Sequence, residues 1–188
     1  MSYLKQVNWI DIFAVIILFR ISYIAVKTGF PVEIFKLLGT VLAIYLSCHY
    51  YIKLSILLGN FFPAKSESVI NFLNFLVFVA LACLGYFIFV VIRLVFRLLI
   101  KMEAVSLLNR WGACIFGVIR WGLFTSLLFF IITINNFGYF KDSLSNSLLG
   151  PQLIKLAPEV YSGLWKSTVS HFEDENQFNQ RVSLGKEK

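Results

Sequence analysis

Residues 69–92, "VINFLNFLVFVALACLGYFIFVVI", run without a single charged side chain. As a helix at about 1.5 Å per residue the run is about 36 Å long, enough to cross a hydrocarbon core of about 30 Å. A soluble domain has no place for such a segment. Three further stretches qualify as spans when the reading moves outward: 10–26, 32–52 and 112–134. The second is entered through Pro31, which suits the first turn of a helix. No fifth candidate follows, because the chain beyond Asn135 breaks its apolar residues with Gly150, Pro151 and Pro158.

The whole chain agrees with its spans. Of 188 residues, 59% are hydrophobic and 14% charged, against roughly 45–50% and about 25% in soluble domains. The expected fold is an all-α membrane protein with four transmembrane helices, an amphipathic cytoplasmic connection and a partly helical C-terminal tail. Residues 1–135 form the transmembrane domain, 136–171 an interfacial amphipathic tail, and 172–188 a disordered polar end. Within the tail, Tyr161 and Trp165 are of the kind that sits at a membrane interface. The excess of basic over acidic residues, 17 against 10, suits cytoplasmic loops and calls for no nucleic acid. The first span is too long, and too interrupted by Arg20, for a cleavable signal.

Orientation follows from basic residues near the membrane. Lys27, Lys36, Arg93, Arg97, Lys101 and Arg110 fall on one side; Lys5, Lys53, Lys65 and Lys141 fall on the other. The balance predicts a cytoplasmic third connection in an inner membrane, with both termini periplasmic. Arg93, Arg97 and Lys101 recur at helical spacing on one face, so they are expected to reach lipid headgroups. The lipid bilayer is the first partner.

Arginine at a helix centre costs roughly 2.5–3.5 kcal/mol on insertion scales. Arg20 and Arg120 therefore need partners or a polar path. Glu33 lies in the first turn of the second span, where the helix dipole favours a carboxylate. It is expected to pair with Arg120 or with Arg20. Asp11 is expected to cap the first helix. Small residues recur every four positions in Gly39–Ala43–Ser47, in Ala113–Gly117 and in Gly122–Ser126. Such stripes permit close helix approach. They are expected to bring the second and fourth spans together, and the first of them to hold a homo-oligomer or a membrane-protein partner.

Motifs of catalysis do not occur. There is no P-loop, no GxSxG and no HExxH, so no catalytic residue or enzyme activity is expected. With His49 and His171 alone, no histidine metal site or cofactor is expected either. Cys48, Cys83 and Cys114 form no CxxC pair and read as buried small residues.

Three blocks carry a family resemblance. They are "NWIDIFAVII" at 8–17, "KTGFPVEIFKLLGTVLAIYLSCHYY" at 27–51 and "LLNRWGACIFGVIRWGLF" at 107–124. Together they resemble the colicin V production protein (CvpA) family of bacterial inner-membrane proteins. The matching positions are Asp11, Gly29, Glu33, Gly39, Asn109, Arg110, Gly117, Arg120 and Gly122. One departure is Trp121, which separates Arg120 from Gly122 where the family usually joins Arg to Gly. The resemblance implies colicin V production or export (a toxin biosynthetic process) and envelope homeostasis. A membrane accessory or scaffold is the expected role. A small oligomeric channel or transporter for an anionic solute, lined by Arg20 or Arg120, is the alternative.

Overall fold

The computed structural model describes residues 8–60, 67–99, 106–134 and 138–169. The polar end at 172–188 lies outside them, as does Lys101. Helix α1 spans Trp9–Thr28, α2 Phe30–Gly59, α3 Glu67–Leu99, α4 Ser106–Ile134, α5 Gly138–Ser145 and α6 Gly150–Leu164, and a π-helical turn follows at Trp165–Val169. Four of these helices, α1 to α4, are long and apolar enough to cross a membrane. Each starts or ends beyond the apolar run that announces it. α2 continues through Lys53, and α3 passes Arg93 and Arg97. A helix closes its hydrogen bonds locally, so a charged side chain at the membrane surface does not end it.

The α1–α2 hairpin is the tightest connection. Gly29 takes φ 85° and ψ 162°, a conformation that side-chain-bearing residues rarely adopt. Pro31 then opens α2 at a position whose N–H has no helical acceptor. The freed Phe30 N–H donates to Asn109 Oδ1 at 2.5 Å. Asn109 thereby joins the start of α4 to the start of α2.

The four spans run alternately up and down and stand in the order α1–α4–α2–α3. The closest approach is between α2 and α3. A Cβ at Gly85 would lie 2.8 Å from the Ala43 Cα, against backbone that cannot move aside. Gly39 sits under Phe89 and Tyr86 of the same helix. Gly39, Ala43 and Ser47 are all buried. This corrects the expected oligomer face: the first stripe is consumed within the chain. Small-residue spacing licenses a close approach but does not name the neighbour, and the glycine that completes the contact is the lone one in the chargeless span. The fourth-span stripes also turn elsewhere than α2. Ala113 is buried, Gly117 packs on Ala25 of α1, and Gly122 meets Leu156 of α6. Ser126 Oγ accepts the Ala157 N–H of α6 at 2.7 Å.

Helix α6 crosses the bundle rather than extending it. Its first turn meets Asp11 of α1, its middle meets Gly122 and Ser126 of α4, and its end meets His49 of α2. Asp11, Ser126 and His49 each lie about 26–29 Å along their helices from the hairpin end. The crossing therefore lies across the opposite end of the spans. Tyr161 and Trp165, expected at an interface, are buried instead. The Tyr161 hydroxyl lies 3.1 Å from His49 Nδ1, and Trp165 stacks on the His49 ring at 5.3 Å. A phenol with a hydrogen-bond partner loses little by burial. The tail belongs to the core, with Leu144 and Leu153 packed against Ile10, Ala14 and Phe129.

Candidate functional site

Glu33 is fully buried at the hairpin end of α2 and gathers three partners. Thr28 Oγ1 donates to its Oε1 at 2.8 Å. Lys36 Nζ reaches the same oxygen at 2.5 Å and also donates to Thr28 Oγ1 at 3.1 Å. Arg120 Nε stands 3.0 Å from Oε2. That last contact is coulombic, since the N–H does not line up for a hydrogen bond. The side chains of Lys36 and Arg120 are only 10% and 11% exposed, so water screens the ion pairs weakly.

The sequence positions explain the meeting. Glu33 and Lys36 are three apart and share a helical face. Thr28 ends α1 just before the hairpin. Arg120 lies deeper in the membrane, and side chains on a helix lean toward its N-terminus. In α4 that direction leads back to the hairpin. Of the two arginines offered to Glu33 by the sequence, the structure brings Arg120 to it. Arg20 faces outward on α1, where Ile16, Phe19, Tyr23 and Ile24 are also exposed. Thr28 and Lys36 went unread as ligands, although the Glu33–Lys36 spacing was a usable signal.

The cationic residues of the same end divide. Arg110 is exposed beside Asn109. Arg93 comes from α3 and lines a small groove with Lys36, Phe35, Tyr86, Phe89 and Val90. Its Nε is buried and has no hydrogen-bond partner. Arg97 falls in the last turns of α3.

At the other end Asp11 does more than cap its own helix. It accepts the Asn8 N–H at 3.0 Å, the Leu148 N–H at 3.1 Å and the Leu149 N–H at 2.9 Å. Asn8 Nδ2 adds a bond to the Ser143 carbonyl at 2.6 Å. The carboxylate of α1 thus holds the turn that launches α6. Trp121, the departure from the family pattern, donates its indole N–H to the Ala14 carbonyl at 2.8 Å, fastening α4 to α1.

Among the described residues no three His, Cys, Asp or Glu come together as metal ligands. Cys48 is buried and Cys114 half-buried, whereas Cys83 is exposed on α3, which corrects its reading as a buried residue. α3 packs on the bundle along one side only, so a small side chain on its other side faces lipid.

Four apolar spans, a buried carboxylate held by cations from two helices, and outward faces rich in Phe, Leu and Ile define a multi-pass α-helical membrane protein. The family model of the colicin V production protein matches residues 10–158, and the chain belongs to that family. No curated protein and no solved structure matches the chain.

Proposed function

We propose that the protein is an inner-membrane accessory or scaffold of the colicin V production type, acting on export and envelope homeostasis through a protein that docks in the membrane. The observation that carries this reading is Arg20. It is exposed on α1 among exposed apolar side chains, and an arginine left to lipid costs roughly 2.5–3.5 kcal/mol. A partner or a second copy covering α1 removes that cost. The internal pairing of Glu33 with Arg120 and Lys36 supports a structural use for the buried charges.

The test places a photo-crosslinking residue at Phe19, which is 71% exposed, in native membranes. The expected product is one discrete protein adduct, reduced in Arg20→Leu. Adducts to lipid alone overturn the reading. The alternative, an oligomeric channel for an anionic solute, also rests on Arg20, which an oligomer would turn toward its centre. In proteoliposomes the scaffold gives no chloride flux above empty vesicles. Flux that disappears in Arg20→Leu establishes the channel instead.

We assign the Arg93–Arg110 connection to the cytoplasm and both termini to the periplasm, on the bias of basic residues. In a chain freed of its own cysteines, a membrane-impermeant thiol reagent applied to cells with permeabilised outer membranes is expected to label a cysteine at Ser183. It is expected to spare one at Ala104. The reverse pattern inverts the topology.

A further inference from the structure

We propose that the groove between α2 and α3, with Lys36 and Arg93 on its walls, binds a phosphate group, and that the phosphate is the headgroup of an anionic lipid. The first observation is a charge imbalance. Arg93 and Arg120 each lie within electrostatic reach of Lys36, and among the described residues the only carboxylate in contact with any of the three is Glu33. Glu33 is already occupied. Its Oε1 serves Lys36 and Thr28, and its Oε2 serves Arg120. One negative charge therefore faces three positive ones.

Arg93 supplies the second observation. Its Nε is buried, yet no acceptor meets it. A buried guanidinium N–H without an acceptor is rare in a settled structure. The groove it lines with Lys36 has apolar and aromatic walls from Phe35, Tyr86, Phe89 and Val90. An anion seated between the two cations would receive the Arg93 N–H and a Lys36 ammonium proton, and it would relieve their mutual repulsion. Phosphate oxygens suit this pairing, because charged N–H donors bind them with short, strong hydrogen bonds.

Depth and surroundings select the source of the phosphate. Lys36 is about 9 Å along α2 from the hairpin, near the boundary between headgroups and hydrocarbon. The groove walls Phe35, Tyr86, Phe89 and Val90 are themselves half-exposed, and Phe87 and Leu94 are exposed on the adjoining flank of α3. Acyl chains can lie on these side chains while their phosphate enters the groove. A free phosphate ion would gain nothing from that apolar surround. Arg93 is the residue this pair shares with the headgroup contacts expected along Arg93, Arg97 and Lys101, of which Lys101 lies outside the described residues.

The test is native mass spectrometry of the delipidated full chain with phosphatidylglycerol, phosphatidylcholine or inorganic phosphate. Phosphatidylglycerol is expected to bind in preference to phosphatidylcholine. Lys36→Gln and Arg93→Gln should each weaken it about fivefold, while Lys155→Gln, an exposed cation on α6, should leave it unchanged. Arg93→Lys keeps the charge and should stay within about twofold of the wild type, which separates loss of the site from loss of the fold. Equal binding of the two lipids, or unaltered binding in both Gln variants, overturns the site. Displacement of phosphatidylglycerol by millimolar inorganic phosphate overturns the lipid assignment and leaves a soluble phosphate ligand.

Discussion

Glu33→Gln is expected to destabilise the protein by about 3–5 kcal/mol, the cost of stranding buried charge. The direction of the asymmetry is the sharper expectation. Removing Glu33 leaves both Lys36 and Arg120 without their carboxylate. Removing Arg120 leaves Glu33 still bonded to Lys36 and Thr28. Arg120→Gln should therefore cost less, about 1–3 kcal/mol. The double variant should recover part of the summed loss, because the two side chains interact directly. Unfolding of the purified protein in mixed micelles, titrated with denaturing detergent, gives the three free energies of the cycle. Additive losses, or equal losses in the two single variants, would show that the cluster does not act as a unit.

Asp11→Ala is expected to cost about 2–3 kcal/mol, and the loss should appear first in α6. Three backbone N–H groups lose their acceptor at once. Each is part-buried, so water replaces some of the lost bonding and the sum falls below three full hydrogen bonds to a charged group. Residues 148–149 are held to α1 by this carboxylate, and beyond them α6 rests chiefly on α4 and α2, with Leu153 packed beside Ile10 and Ala14 of α1. Hydrogen exchange should therefore quicken in 148–164 while α2 and α3 keep their protection. Asp11→Asn retains one carbonyl oxygen and should fall between Ala and the wild type. Uniform loss of protection across all helices would refute a local role.

The spans were legible because hydropathy over twenty residues admits few alternatives. The Glu33–Arg120 contact was legible for a related reason: a guanidinium in an apolar span is too costly to leave alone. What the sequence left open was rotation. Arg20 and Arg120 both suited Glu33, and α1 is apolar on every side, so its pattern did not say which side would face α4 and α2. The Gly39–Ala43–Ser47 stripe failed as an oligomer signal for the same cause. It specified closeness, and Gly85 on α3 decided the neighbour. The His49–Tyr161 contact joins residues separated by 112 positions, and no local spacing encodes such a pair. Asp11 was read as the cap of its own helix. Its second duty, at the start of α6, depends on a tail whose path only the packed bundle fixes.

The crossing of α6 also bears on how the molecule is made. Asp11 enters the membrane with the first helix, but its acceptor sites await the Leu148 N–H, 137 residues later. At about 5–20 residues per second that interval is about 7–27 s of synthesis. Throughout it, the nascent bundle carries a carboxylate with only the Asn8 N–H in place and two of its three backbone donors not yet made. α6 is then the clasp that closes last, and it joins the earliest inserted helix to the fourth and the second. A chain stopped before residue 148 therefore presents at the bundle's end a carboxylate short of two donors, and a finished one does not.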